Sequence, residues 1–168
     1  MDHNFDAFPT KKVIKGIVFR KTKFLTYEPE NLNEIVPRIR IRKPEDSLPF
    51  LASIRGRKQE CFCVLSLDGS HQVIKAHEIT VGLADRSQIH PRETFVCAIE
   101  DRAVSIMIAH NHPSGCLEAS VNDLLATRRL VEAGQLLRIP VVDHLIVVEI
   151  GFISLREKHP EYFMANSI

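Results

Sequence analysis

The sequence predicts a mixed α/β domain built on a single sheet, on three observations. Short, strongly apolar runs at Cys61–Leu67, Ser105–His110 and Val141–Val148 have the length and residue types of strands. Two stretches of helical spacing lie among them, one opened by Pro91 and one by Ser120. At 168 residues the chain is long enough to bury a core without a disulfide or metal staple.

Taken in order, Lys12–Phe24 alternates loosely between apolar and basic residues and reads as a strand. Tyr27–Asn31 is a polar connector, and Ile35–Ile41 is a second strand with Arg38, Arg40 and Arg42 on one face. Pro44-Glu45-Asp46 begins a helix over Ser47–Arg55, with Leu48, Phe50, Leu51 and Ile54 apolar and Gly56 as terminator. Cys61–Leu67 is a buried strand with Cys61 and Cys63 on one core face, turned by Asp68-Gly69 into a strand over Gln72–Ile79. After Pro91, the residues Phe95, Val96, Ile99 and Ala103 supply a helix's inner face. Ser105–His110 is a strand broken by Pro113, Ser114 and Gly115, and a helix follows over Ser120–Ala133. Its apolar side is Val121, Leu124, Leu125 and Val131, and Gly134 ends or kinks it. The β-branched run Val141–Val148 turns at Gly151 and returns as Phe152–Leu155, leaving a short, poorly packed tail after Glu157. The expected organisation is a basic β extension over residues 1–43, a main domain over 44–157 and a tail over 158–168.

Composition narrows the class. Hydrophobic residues at 45% and charged residues at 26% are ordinary for a soluble globular protein, and no apolar run has the length of a membrane span. The polar start Met1-Asp2-His3-Asn4 is not a secretory signal, and four cysteines without a Cys-x-x-Cys pair read as reduced thiols, so the expected location is cytoplasmic. Charge is uneven, with 13 Lys and Arg against 7 Asp and Glu in residues 1–58, and 9 against 14 thereafter. The basic half could neutralise phosphates in a weak, sequence-independent DNA contact, or be a solvated face whose cations block edge-to-edge pairing.

The chemistry-bearing segment is His110-Asn111-His112-Pro113, followed by Ser120 and Asp123. Histidines at i and i+2 on a strand share a face about 6.6 Å apart, within reach of one metal ion. A strand end, a turn and a helix start can thus assemble two imidazoles and a carboxylate, the protein ligand set of a catalytic zinc with one position left for water. Ser120-x-x-Asp123 also fits a helix capping box, and the two roles are compatible. A base must remove a proton from the water. Glu60, just before a buried strand where partial desolvation could raise its pKa, is the natural candidate; its competitors are Glu93, which also reads as a favourable charge in a helix's first turn, and Glu78, which also reads as an exposed strand residue. Ser120 could donate its hydroxyl to an oxyanion.

The string His110-x-His112-x7-Ser120-x2-Asp123 resembles the signature of JAMM metalloproteases, and Ala109-His110-Asn111-His112-Pro113-Ser114-Gly115 is similar to the RadC branch of that family. Gln59-Glu60, His90-Pro91-Arg92-Glu93 and Asp143-His144-Leu145-Ile146-Val147 extend the resemblance over roughly Pro44 to Glu157. It implies a three-layer α/β/α fold with a mixed sheet, related to cytidine deaminases. It also implies Zn2+ held by His110, His112 and Asp123, Glu60 as general base, and Ser120 assisting the tetrahedral intermediate. The implied substrate is a peptide or isopeptide-linked protein, and the rival expectation is a DNA-associated accessory protein. A deaminase is disfavoured, because its Pro-Cys-x-x-Cys segment is absent. Many RadC proteins carry a helix-hairpin-helix region before this domain, where residues 1–43 here read as basic strands. Cys116 and Ala119 also depart from the family's usual acidic or amide residue and proline.

Overall fold

The computed structural model describes residues 11–14, 17–21, 27–29, 39–81 and 89–164. Strands β1 (Lys11–Ile14), β2 (Ile17–Lys21) and β3 (Tyr27–Pro29) form an antiparallel sheet of their own, so the described fold has two sheets where one was expected. The expected strand over Lys12–Phe24 is a hairpin with Val13 opposite Val18, and the expected connector contributes β3. Loose alternation does not mark where a chain reverses, and Gly16 falls between the two arms. Most of the expected Ile35–Ile41 strand lies outside the described residues. Its end meets the next sheet through an Arg40–Gln72 bridge.

A 3-10 turn over Pro44–Ser47 leads into α1 (Leu48–Leu51), shorter than the helix expected over Ser47–Arg55. Pro44 and Pro49 each remove a backbone donor from so short a run. Asp46 Oδ2 accepts the Arg42 and Lys43 amides at 2.9 and 3.2 Å, and Gly56, at φ 70°, reverses the chain where a terminator was expected. Next come β4 (Cys61–Leu67), β5 (Val73–Val81), α2 (Pro91–Glu100), β6 (Ser105–Asn111), α3 (Val121–Leu137), β7 (Val141–Val148), β8 (Gly151–Ser154) and α4 (Leu155–Lys158). The larger sheet runs β5-β4-β6-β7-β8, antiparallel except for the β6–β7 pair, which α3 connects. It is the mixed sheet that was expected.

Alternate residues of the central strands feed two cores. Cys61, Cys63, Leu65 and Leu67 of β4, with Met107 and Ala109 of β6, pack under Leu51 and Ile54 on the α1 side. Phe62 and Val64, with Ile106 and Ile108, pack against Phe95 and Ala98 of α2 and Leu130 and Val131 of α3. Both faces are covered, giving the α/β/α layering, and each fully buried aliphatic side chain contributes about 1.5–3 kcal/mol. Among the described residues no helix is long and apolar enough to cross a membrane.

The helix faces differ in detail from their sequence patterns. Val96 and Ile99 are exposed, while Thr94, Phe95, Cys97 and Ala98 face inward. On α3, Val121 is 73% exposed and Leu125 is also exposed; Thr127, Leu130, Val131 and Gly134 make the inner stripe. Small or polar inner residues hide such a stripe from a hydrophobicity count. At the other end, Leu155 opens α4 rather than closing β8, and Phe163, in the supposed tail, packs against the α2–α3 core.

Gly134 lies inside α3 instead of ending it. The left-handed turn falls on Arg138 at φ 59°, where Ile139 N–H donates to Gly134 O at 2.8 Å and Arg138 N–H to Gln135 O at 3.2 Å. Glycine is needed at position 134 because an added Cβ would stand 2.6 Å from Ile139 O and 3.1 Å from Phe95 Cζ. Gly134→Ala gains about 1 kcal/mol of helix propensity. The clash is with backbone and costs about 1–3 kcal/mol. We expect a net loss, read as a lower urea midpoint at constant slope; an unchanged or higher midpoint would show that the turn gives way freely.

Candidate metal centre

The centre forms where the buried end of β6 meets the first turn of α3. His110 continues the face of Ile106 and Ile108, and His112 follows one residue beyond the strand. Ser120 is the N-cap of α3: its Oγ accepts the Asp123 amide at 3.1 Å, and Asp123 Oδ2 accepts the Ser120 amide at 2.7 Å. This is the capping box read from sequence, and it aims the carboxylate at the histidines. His110 Nε2 lies 3.3 Å from Asp123 Oδ1, His112 Nε2 lies 3.5 Å from Asp123 Oδ2, and the two Nε2 atoms are 3.0 Å apart. One donor atom from each residue falls within a cluster no wider than 4.8 Å.

Hydrogen-bond bookkeeping assigns the tautomers. His112 Nδ1 is 2.7 Å from the Cys116 carbonyl, which can only accept, so Nδ1 carries the hydrogen and neutral His112 presents a lone pair at Nε2. The Thr127 hydroxyl spends its one hydrogen on Asp123 O at 2.6 Å, so its oxygen must accept from His144 Nδ1, also at 2.6 Å. Burial, and then the neighbouring His110, hold His144 well below the usual histidine range, so it is neutral. Its Nε2 therefore accepts from His110 Nδ1–H at 2.8 Å, and His110 too turns a lone pair toward the centre. Two lone pairs 3.0 Å apart beside a carboxylate repel unless a cation or a shared proton lies among them.

The electrostatics describe the case of a shared proton. Burial disfavours charge on Asp123, but with a proton on Nε2 the hydrogen bonds donated by His110 and His112 outweigh it and hold the carboxyl well below its ordinary range. The same bond to Asp123 raises His112, against the opposing effect of burial. Two imidazoles with their Nδ1 hydrogens committed and one ionised carboxylate make a donor set suited to zinc.

The other expected residues stand as follows. Glu60 is exposed, so the expected desolvation is not there; burial starts one residue later, at Cys61. Its placement still suits the site, because β4 and β6 pair with Phe62 opposite His110, and Glu60 stands two residues before that pair. Its charge is felt there, adding to the upward shift of His112. Glu78 is not the exposed strand residue expected: its side chain is 3% exposed and bound by both Arg57 terminal nitrogens. Glu93 sits in the first turn of α2. Ser120 is exposed, with its hydroxyl directed to Asp123 Oδ2 at 2.7 Å. Cys116 is an exposed free thiol outside the donor cluster.

The sequence reading assigned no role to His144 or Thr127, although a histidine inside the β-branched run of β7 was the available signal. We expect His144→Leu to weaken zinc affinity about 10–100-fold, because His110 loses the acceptor that fixes its tautomer. Chelator competition measures this, and wild-type affinity would contradict the assignment.

A family model described as the RadC-like JAB domain matches residues 41–160. The chain is 46% identical over 121 residues to a UPF0758 protein of Methanospirillum hungatei, covering 71% of this chain and 54% of that protein. It is 38% identical over 151 residues to one of Alkaliphilus metalliredigens, covering 86% and 65%. A third, from Bacillus cereus, is 43% identical over 122 residues, covering 72% and 54%. This chain thus spans about half to two thirds of the length of these relatives. With well over half of its residues matched by that model, and with the motif histidines and aspartate brought to one point, the chain belongs to the RadC-like JAB domain family.

Proposed function

We propose that this chain is a zinc-dependent hydrolase of peptide or isopeptide bonds. The observation that carries the proposal is the convergence of two tautomer-fixed imidazole nitrogens and one carboxylate within 4.8 Å. His110, His112 and Asp123 would hold the ion. Zinc in such a site supplies Lewis acidity, polarising a carbonyl and making water acidic near neutral pH. Glu60, exposed and two residues before the strand partner of His110, accepts the proton of the attacking water and returns it to the leaving amine. The Ser120 hydroxyl reaches a developing oxyanion by rotating its hydrogen about Cβ–Oγ, away from Asp123 and without disturbing the cap bond from the Asp123 amide. The peptide or isopeptide substrate class comes from the resemblance of the motif to JAMM metalloproteases. Cleavage of a peptide and isopeptide panel by zinc-loaded protein, lowered about 100-fold or more by Glu60→Gln, is the expected result; equal cleavage by both proteins contradicts the proposal.

A DNA-contacting role through the basic N-terminal half gains no support from the described residues. Arg55 donates to Val148 O and Glu149 O, and Arg57 binds Glu78, so both cations act within the fold. Lys11, Lys12, Arg20, Lys21, Lys23 and Arg38 have no described side chains.

A further inference from the structure

We propose that Asn111, the residue between the two histidines, is a positioning residue for Glu60, an inference that rests on the hydrolytic reading above. Alternation along β6 turns His110 toward α3 and Asn111 toward the opposite face, where the chain leaves α1 and enters β4. Asn111 is 1% exposed, and its amide is used fully on backbone groups of that segment. Oδ1 accepts the Cys61 amide at 2.7 Å, and Nδ2 donates to Gln59 O at 3.1 Å and Arg57 O at 3.2 Å.

Two of these partners, Gln59 and Cys61, flank Glu60 directly. The segment is fixed at its far end as well, because the Arg57 guanidinium binds Glu78 on β5 and donates to Ser53 O at 2.8 Å. Glu60, itself exposed, has no hydrogen bond to the described residues to hold its side chain, so its place two residues before Phe62, the strand partner of His110, is set by its backbone. One strand therefore delivers a metal ligand on each side of Asn111 and, through Asn111, the register of the base. Ligands and base are tied into one rigid unit.

The chemistry of the clamp requires an amide. Alanine removes all three bonds. Aspartate keeps the acceptor for Cys61 N–H but sets a carboxylate oxygen against the Gln59 and Arg57 carbonyls, where no hydrogen remains to be shared. Neither change touches a zinc donor atom.

The test compares wild type, Asn111→Ala and Asn111→Asp, each also in a Glu60→Gln background. Both single variants are expected to keep one zinc per chain and unchanged KM, with kcat lower by about 100-fold, the scale of a misplacement near 1 Å. In the Glu60→Gln background the same changes are expected to add no further loss, since Asn111 acts through Glu60. Equal losses in both backgrounds would overturn the proposal in favour of a general structural role. If Asn111→Ala does not fold, the near-isosteric Asn111→Asp decides. Independently of turnover, Co2+-loaded protein should show paramagnetic shifts of the Glu60 side-chain carbons that shrink in both variants, while those of His110 and His112 persist. Unchanged Glu60 shifts overturn the positioning role even if wild type cleaves nothing, and absence of cleavage alone rejects only the hydrolytic reading.

Discussion

Glu60→Gln is expected to lower hydrolysis by about 100- to 10,000-fold while zinc content and fold stay as in wild type. In barrier terms that is about 3–5 kcal/mol. The amide keeps the shape of the carboxylate but cannot accept the proton of water. Glu60 is exposed and precedes the buried run of β4, so the exchange removes no core contact, and the loss is attributable to chemistry. Turnover assays beside elemental analysis check it. Wild-type turnover in the Gln variant would remove Glu60 from the mechanism and turn attention to Glu93, in the first turn of α2.

The second large effect is on the metal itself. His110→Ala and Asp123→Ala are each expected to release zinc, since two remaining protein ligands leave the coordination shell incomplete. Asp123 has a second duty as partner in the Ser120 capping box, worth about 1 kcal/mol. Asp123→Asn separates the duties, because an amide oxygen still accepts the Ser120 N–H bond while the charge is gone. Zinc present at 1,000 times its dissociation constant should stabilise wild type by about 4 kcal/mol and the variants not at all, read as a thermal shift. Full zinc occupancy in both alanine variants would place the ion elsewhere.

Much of this molecule was legible from its residues because some signals are local. β4 and the Ser120 cap depend on apolar runs and capping chemistry that a short window contains, and both stand as expected. The His110, His112 and Asp123 cluster follows from strand alternation joined to one turn, and it too is where the spacing placed it. What escaped depends on how the chain folds back on itself. Gly134 looked like a terminator because its real constraint, the Ile139 carbonyl against its Cα, exists only once the chain has turned back. Glu78 looked like an exposed strand residue because its partner Arg57 is 21 residues away. His144 reaches His110 across 34 residues, and only the parallel pairing of β6 with β7 brings them side by side. The desolvation expected at Glu60 failed for a smaller reason: a strand's buried pattern can begin one residue later than its sequence neighbours suggest.

The central claim is that one metal ion at this cluster runs an amide hydrolysis, and a titration tests it most directly. Protein stripped with chelator is given increasing zinc while cleavage of an isopeptide or peptide substrate is followed. The account predicts no cleavage without zinc and a linear rise that ends at one equivalent per chain. Cleavage by the stripped protein, or activity that does not follow zinc to that end point, would contradict it.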